Sequence, residues 1–210
     1  MKYFTLILVL ILFSCGKKED VLLPKSNITI VKEVQDLSPI YIFFKIEGKV
    51  TIADVNRKSS IISTNWILNI DKRLPLKLVI PEVMKLQEKK RADSAHKNEN
   101  AENYYSYADS IGKKLAFLPF TKVFYKMERP VQGSFVVYLK KGKKQVFIGN
   151  KEIKIAEILK YFYSIKFEKV PNLVFLFDKE MSYEEYIQYK ILLQKDVTHN
   201  LDTLPVEFIF

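Results

Sequence analysis

Two segments of the chain alternate between apolar and polar positions around a turn, which is the pattern that predicts a β-hairpin. The first runs from residue 40 to residue 56 and turns at Gly48, with Tyr41 and Phe43 on the face opposite to its isoleucines. The second runs from residue 135 to residue 148 and has a lysine-rich turn. Because alternate side chains point to opposite faces of a strand, each hairpin is expected to bury one face.

The segments that follow each hairpin are also marked by their patterns. Trp66 to Ile70 reads as a short strand, and Pro81 to Lys90 has a helical pattern with the proline at a tolerated first-turn position. In the second half, apolar residues from Ile155 to Ile165 follow helical spacing. Leu173 to Phe177 is a continuous apolar run, which is typical of a strand covered on both faces.

A capping box predicts the start of a last helix. The Ser182 hydroxyl can accept a hydrogen bond from the backbone N–H of Glu185, whose carboxylate can reach back to the N–H of Ser182. Residues 205–210 alternate as a final strand. The second half therefore has the order strand, strand, helix, strand, helix, strand (ββαβαβ). This order predicts an α+β fold in which small mixed sheets carry helices on one face.

The first half could be a degenerate copy of the second. The two hairpins align without gaps at a spacing of 94 residues, which places Gly48 on Gly142. Farther along, Asp71 aligns with Asp178 at a spacing of 107 residues. The difference corresponds to about one helix, so the first half would lack its crossover helix. Chance matching in a sequence rich in isoleucine and lysine is the alternative.

Composition shifts between the two halves, because residues 88–91 and 96–100 have almost no apolar side chains. Residues 91–114 are therefore predicted to be a polar linker or an exposed helix. The predicted organisation is a signal peptide at 1–14, a lipidated tether at 15–37, an α+β half at 38–90, the linker at 91–114 and an α+β domain at 115–210.

The N-terminus has the three parts of an export signal. Lys2 provides the positive charge, Phe4 to Phe13 is apolar, and Ser14 is a small residue directly before Cys15. This ending resembles the lipobox that lipoprotein signal peptidases recognise. The apolar run is too short for a spanning helix, which needs about 20 residues. Cys15, the only cysteine of the chain, is therefore the predicted lipidation site, through which the chain would be held in a membrane.

The formal net charge of +10 permits several classes of partner. The lysines are scattered among acidic residues, which favours an ordinary solvated surface. Attraction to anionic envelope polymers or lipid headgroups is the alternative. Because the chain is expected to be exported, nucleic acid is not a predicted partner.

Residues suited to catalysis or metal binding do not form a recognisable site. His96 and His199 have no second ligand at metal-binding spacing. Asp178 with Glu180 fits a polar turn after a strand. No catalytic residue, metal or other cofactor is predicted, and the chain is expected not to be an enzyme.

Several tyrosines of the second half could form a stacking or glycan-binding surface, although half-buried packing is favoured. These are Tyr161, Tyr163, Tyr183, Tyr186 and Tyr189.

Residues 134–210 resemble the periplasmic domain of the ExbD/TolR family, whose members are subunits of proton-driven envelope machines. The resemblance rests on a hairpin with a central Gly142, an amphipathic helix, an apolar strand followed by Asp178, and a short turn to Tyr183 on a second helix. Members of the family also carry a transmembrane helix with an aspartate of the proton pathway, whereas Phe4 to Phe13 has no acid. The resemblance thus implies self-association or binding of a partner strand at a sheet edge, without proton coupling.

The expected function is that of an accessory or binding subunit of an envelope transport or energy-transduction complex. Its predicted partners are the membrane, envelope proteins, peptidoglycan or a second copy, with Asp178, Tyr183 and Tyr186 as candidate partner-binding residues. The alternative is a surface-exposed lipoprotein that binds an external ligand or peptidoglycan, because residues 18–20 resemble a surface-export tag. Gly16 after the cysteine favours the outer membrane over the inner one.

Overall fold

The computed structural model describes residues 20–92, 98–167, 171–198 and 206–210. These residues form a mixed α/β fold with two six-stranded mixed sheets and three α-helices. Within them, no helix is long and apolar enough to cross a membrane. Cys15, His96 and His199 lie outside the described residues.

The first sheet belongs to the first half of the chain. Its elements are β1 (Lys25–Ser26), β2 (Leu37–Glu47), β3 (Val50–Asn56), β4 (Asn65–Ile70), helix α1 (Leu76–Arg91), β5 (Asn103–Asp109) and β6 (Lys114–Pro119). Strand β2 is antiparallel to β3 and parallel to β4, which is parallel to β5. Strand β6 pairs along one edge of β5, so β1 must pair with the other edge, beyond the residues that pair with β4.

The second sheet has the strand order β10-β9-β8-β11-β12-β7. Its elements are β7 (Tyr125–Lys126), β8 (Phe135–Leu139), β9 (Val146–Ile148), β10 (Lys151–Ile153), a 3₁₀ turn (Ile155–Glu157), α2 (Ile158–Ser164), β11 (Leu173–Phe177), α3 (Tyr183–Asp196) and β12 (Glu207–Ile209). Strand β11 is parallel to both of its neighbours, β8 and β12.

Four strands of each sheet have the same neighbours. The order β3-β2-β4-β5 of the first sheet matches β9-β8-β11-β12 of the second. Equivalent backbone hydrogen bonds close the two parallel pairs, because the N–H of Asp71 donates to the carbonyl of Ile42 (3.0 Å) and that of Asp178 to the carbonyl of Leu139 (3.1 Å). A turn that begins at Asp71 leads into helix α1, and an equivalent turn that begins at Asp178 leads into helix α3.

The two turns also bind each other reciprocally. The N–H of Leu76 donates to the carbonyl of Met181 (2.9 Å), and the N–H of Tyr183 donates to the carbonyl of Leu74 (2.8 Å). Pro75 and Ser182 form the bridge between them. Buried residues of both halves belong to one continuous hydrophobic cluster, so the halves share a core.

Most elements predicted from the sequence are confirmed. Both hairpins, the strands at Asn65–Ile70 and Leu173–Phe177, and the final strand are present. The capping box of Ser182 and Glu185 has both of its hydrogen bonds. The predicted stripe from Ile155 to Ile165 forms the 3₁₀ turn and α2.

The predicted start of the first helix is wrong. Helix α1 begins at Leu76, so Pro81 lies in its interior rather than in its first turn. Pro75 is extended and precedes the helix, and Leu76, Val79 and Ile80 continue the buried face N-terminal to Pro81. Helical spacing of these apolar residues outweighs the missing N–H of one proline.

Two predicted polar segments contain strands. Within residues 91–114, predicted as a linker or exposed helix, Asn103–Asp109 forms β5 and buries Tyr105 and Tyr107. Within the predicted tether at 15–37, Lys25–Ser26 forms β1. The sequence pattern does not indicate these strands, because their tyrosines and small polar residues do not form an apolar alternation. A tyrosine can be buried only when its hydroxyl group finds a hydrogen-bond partner.

Candidate binding cleft

A row of side chains crosses the outer face of the first sheet, opposite the face that carries the buried isoleucines. Tyr41 on β2 pairs with Asn56 on β3 and with Asn69 on β4. The Ser106 hydroxyl on β5 extends the row by donating to Asn69 Oδ1 (2.8 Å). Because paired residues project from the same face, these four side chains form one continuous row.

Three residues of the row, Tyr41, Asn56 and Asn69, form the floor of a cleft of about 420 Å³, and Ser106 is buried beside them. Phe43 lies beside Tyr41 on the same face, and their rings are nearly parallel, 14° apart with centroids separated by 5.9 Å. The wall of the cleft is the N-terminal segment, residues 20–26, which contributes Asp20, Val21 and Leu23. This volume lies in the range of small-molecule sites.

Backbone hydrogen bonds fix the N-terminal segment, residues 20–26, against the sheet. The N–H of Lys72 donates to the carbonyl of Leu22 (2.8 Å), and the N–H of Ala108 donates to the carbonyl of Pro24 (2.8 Å). The N–H of Leu22 in turn donates to Asp71 Oδ2 (3.1 Å). The cleft wall is thus part of the folded protein.

Asp71 is the polar centre of this attachment. Its buried carboxylate accepts hydrogen bonds from the Arg73 guanidinium (2.8 Å to each oxygen), from the Arg73 N–H (3.0 Å) and from Leu22. Burial acts to raise the pKa of Asp71, but these hydrogen bonds outweigh it and hold the pKa below its usual value. Asp71 is therefore ionised at neutral pH and holds the wall in place.

None of the described residues that line the cleft is basic, although the chain carries ten more basic than acidic residues. Of the residues that line it, Asp20 alone is charged. The polar groups are the Asn56 and Asn69 amides and the Tyr41 hydroxyl, whose ring is 39% exposed. The cleft therefore presents aromatic surface and neutral hydrogen-bonding groups.

The equivalent row of the second sheet has different chemistry. It consists of Phe147, Tyr138, Leu176 and Phe208. The Lys140 ammonium lies 4.1 Å from the Phe147 ring centroid and 5.4 Å from that of Tyr138. The aromatic side chains of this row thus lie beneath cations, as expected of a stabilised surface.

Two of the three candidate partner-binding residues are buried. Tyr183 and Tyr186 are fully enclosed on α3, so their rings offer no surface to a partner; half-buried packing was the favoured interpretation of this tyrosine set. Asp178 is partly exposed after β11, where its carboxylate accepts from the N–H of Glu180 (2.9 Å). The structure does not bring Asp178 and the two tyrosines together at a surface.

The buried tyrosines belong to a hydrogen-bonded network between the two halves. Tyr105 of the first sheet bonds Tyr125 (2.8 Å), which bonds Tyr186 (3.1 Å). The Tyr186 hydroxyl donates to the buried carboxylate of Glu207 (2.8 Å), which also pairs with the Lys190 ammonium. Burial raises the pKa of Tyr105, Tyr125 and Tyr186 well above the usual value, so these hydroxyl groups stay neutral.

This network is a structural element and not a binding site. Its atoms are enclosed, and the cleft residues lie on the opposite face of the first sheet. Among the described residues, no group of three or more His, Cys, Asp and Glu side chains is placed to hold a metal ion.

The sequence interpretation missed Tyr41, Asn56, Asn69 and Ser106 as site residues. One signal was present: asparagine is depleted in strands, and two asparagines occupy strand positions beside an outward-facing aromatic pair. Their convergence depends on parallel pairing between strands, which the sequence does not specify.

No protein-family model, curated protein or solved structure matches the chain.

Proposed function

We propose that this chain is a non-enzymatic, lipid-anchored binding protein of the bacterial cell envelope. In this proposal the chain is exported, cleaved before Cys15 and held in a membrane, the outer one in preference to the inner, by lipid on that cysteine. Its ligand binds in the cleft on the outer face of the first sheet.

The attachment of the N-terminal segment is the observation that carries this proposal. Asp20 already lines the cleft, and Leu22 is hydrogen-bonded to the sheet. Five residues of extended chain span at most about 18 Å, so Cys15 cannot lie farther than that from Asp20. Lipid on Cys15 would therefore place the cleft close to the membrane surface.

The second half is proposed to be an ExbD/TolR-like domain that serves as an accessory or binding subunit of an envelope complex. Support comes from the succession of the β8–β9 hairpin, α2, β11 followed by Asp178, α3 and β12, which differs from the expected ββαβαβ order by the extra strand β10 before α2. Envelope proteins, peptidoglycan or a second copy are the proposed partners. Co-purification from membrane extracts and co-sedimentation with peptidoglycan test this role, and the absence of both would contradict it.

The first half is proposed to be a degenerate copy that lost its crossover helix. The shared order of four strands, the equivalent hydrogen bonds at Asp71 and Asp178, and the reciprocal bonds between the two turns support this proposal. The first half has no helix between β3 and β4, where α2 separates β10 from β11, which supports the loss of a crossover helix. Strand pairing makes Tyr41 equivalent to Tyr138, so the hairpins do not superpose at the gapless spacing of 94 residues.

A surface-exposed lipoprotein is the second candidate, favoured by the position of Asp20. This residue ends the tag-like Lys18-Glu19-Asp20 sequence and lines the cleft, so a receptor for an external ligand would present both at the same place. Protease treatment of whole cells distinguishes the candidates: digestion indicates surface exposure, and protection indicates a domain that faces the periplasm.

Lipidation is tested by expressing the full chain with an alkyne analogue of palmitate. The wild-type protein should be labelled and should partition with membranes, whereas Cys15→Ala should be unlabelled. Lys18→Ala is the matched control and should be labelled normally. An unlabelled wild-type protein, or one that retains Met1, would contradict the anchoring proposal.

A further inference from the structure

We infer that the cleft on the first sheet binds a neutral saccharide. This inference rests on the proposed function, in which the cleft is the binding site, and it names the ligand class. The chemistry of the cleft carries it in three steps: an aromatic platform, flanking amide groups and the absence of cations.

The platform is formed by Tyr41 and Phe43. The two rings are nearly parallel and stacked, with centroids 5.9 Å apart, and Tyr41 is 39% exposed, so part of this aromatic pair is accessible to a ligand. The negative face of an aromatic ring attracts C–H groups that carry partial positive charge. One face of a pyranose ring presents such C–H groups, so a sugar can lie flat on this platform.

The amides lie on both sides of the platform. Asn56 and Asn69 are the direct cross-strand neighbours of Tyr41. Asn56 Oδ1 accepts a hydrogen bond from the Lys58 N–H (3.2 Å). Among the described residues the Asn56 NH₂ group has no partner, so it can donate to a ligand. The Asn69 NH₂ group has only long contacts of 3.4 Å to two backbone carbonyls. An amide both donates and accepts, which matches a sugar hydroxyl.

The same residues argue against other ligand classes. Among the described lining residues, an anionic ligand would meet no cation and would face the Asp20 carboxylate. A peptide added as a strand would pair along the free edge of β3, whereas the cleft lies on the face of the sheet. A purely apolar ligand would bury the amides of Asn56 and Asn69 without partners, which is costly.

The equivalent row in the second half shows that packing does not require these amides. Leu176 stands where the first sheet has Asn69, and Phe147 stands beside Tyr138 as Asn56 stands beside Tyr41. Apolar residues at these positions are compatible with this sheet. Of the two asparagines, Asn69 is buried and bonds Ser106, whereas the exposed Asn56 has no such structural partner within the described part of the chain and is the amide best placed to serve a ligand.

The test uses the full chain purified in a detergent without a sugar headgroup, such as a dodecylamine oxide. Calorimetric titrations with maltotriose and N-acetylated chitotriose serve as neutral probes, and trigalacturonate serves as the anionic probe. At least one neutral probe should bind, and trigalacturonate should bind more weakly. Tyr41→Ala should weaken binding about tenfold, in line with the loss of one aromatic stacking contact.

Tyr138→Ala, at the equivalent position of the second sheet, is the matched control and should bind as the wild type does. Asn56→Ala should weaken binding severalfold without affecting folding, because this side chain is exposed. Failure of both neutral probes to bind, or equal weakening by Tyr41→Ala and Tyr138→Ala, would overturn the inference.

Failure of the proposed function gives different results. If trigalacturonate binds more tightly and depends on Tyr41, the cleft is a binding site but the ligand class is wrong. If Cys15 is not lipidated, palmitate labelling is lost while saccharide binding by the same preparation remains.

Discussion

The outer faces of the two sheets differ although the strands beneath them are arranged alike. The first sheet places Asn56, Tyr41, Asn69 and Ser106 along one row, and the second places Phe147, Tyr138, Leu176 and Phe208 along the matching row. Tyr41 and Tyr138 each lie one position before the residue whose carbonyl accepts the equivalent backbone hydrogen bond, Ile42 or Leu139. Because the two sheets share the same strand order and pairing at these rows, we infer that their different side chains serve different roles.

The second face is built for stability. Lys126 lies over Phe208, and Arg129 and Lys179 lie over Phe210, so cations cover its exposed aromatic groups. Each such contact contributes about 0.5–1 kcal/mol at an exposed site. The first face has instead a cleft bounded by the N-terminal segment, and none of its described lining residues is a cation. From this comparison we propose that the first half binds the ligand and that the second half stabilises the fold.

The largest expected effect comes from separating the halves at their buried network. Glu207→Ala leaves the buried Lys190 ammonium without its counter-charge and removes the acceptor of Tyr186. We expect a loss of about 3–5 kcal/mol in the free energy of unfolding, measured by urea denaturation. Because the network reaches Tyr105 of the first sheet, both halves should unfold in one transition.

The double variant Glu207→Leu with Lys190→Met is the control for this prediction. It removes both buried charges and should recover much of the lost stability. Two separate unfolding transitions in Glu207→Ala would show that the halves are independent domains and would contradict the shared core.

A smaller effect is expected from the two equivalent aspartates. Asp71 accepts four hydrogen bonds and holds the N-terminal segment, whereas Asp178 accepts one bond from its own turn. Asp71→Asn should destabilise the protein by about 2 kcal/mol, because it removes charge-assisted hydrogen bonds. Asp178→Asn should cost about 0.5 kcal/mol, since asparagine supports the same type of turn.

The dependence of stability on pH should report the contribution of the Asp71 carboxylate. The pKa of Asp71 is lowered in the folded state, so its contribution is present above the unfolded value of about 3.9 and is lost as pH falls through the folded value. Unfolding free energies measured from pH 6 to pH 2 should therefore fall less steeply in Asp71→Asn than in the wild type. An identical pH dependence in the two proteins would contradict the assigned role of Asp71.

Local sequence patterns predicted much of the fold, because the residues that form one helix or one hairpin are close together in the sequence. Two-residue alternation identified both hairpins, and the capping box located the start of α3. The start of α1 was misplaced because Pro81 was given more weight than the apolar positions that precede it. Strand β5 was missed because its buried face is made of Tyr105 and Tyr107 rather than aliphatic residues.

The cleft could not be predicted in the same way, because its residues are brought together by long-range pairing. Tyr41 and Asn69 meet only through the parallel register of β2 and β4. The wall depends on Asp71 binding Leu22 across 49 residues of sequence. A polar segment that follows a proposed lipid site is typical of a tether, and no local signal in it indicates docking.

Nuclear magnetic resonance of the ¹⁵N-labelled full chain, titrated with maltotriose or N-acetylated chitotriose, tests the difference between the halves most directly. Side-chain NH₂ signals of Asn56 and Asn69 should shift, together with backbone signals of Tyr41 and Phe43. Signals of Tyr138, Phe147 and Leu176, in the matching row, should remain unchanged. Shifts confined to the second sheet, or no shift in either sheet with both saccharides, would contradict the assignment of binding to the first half.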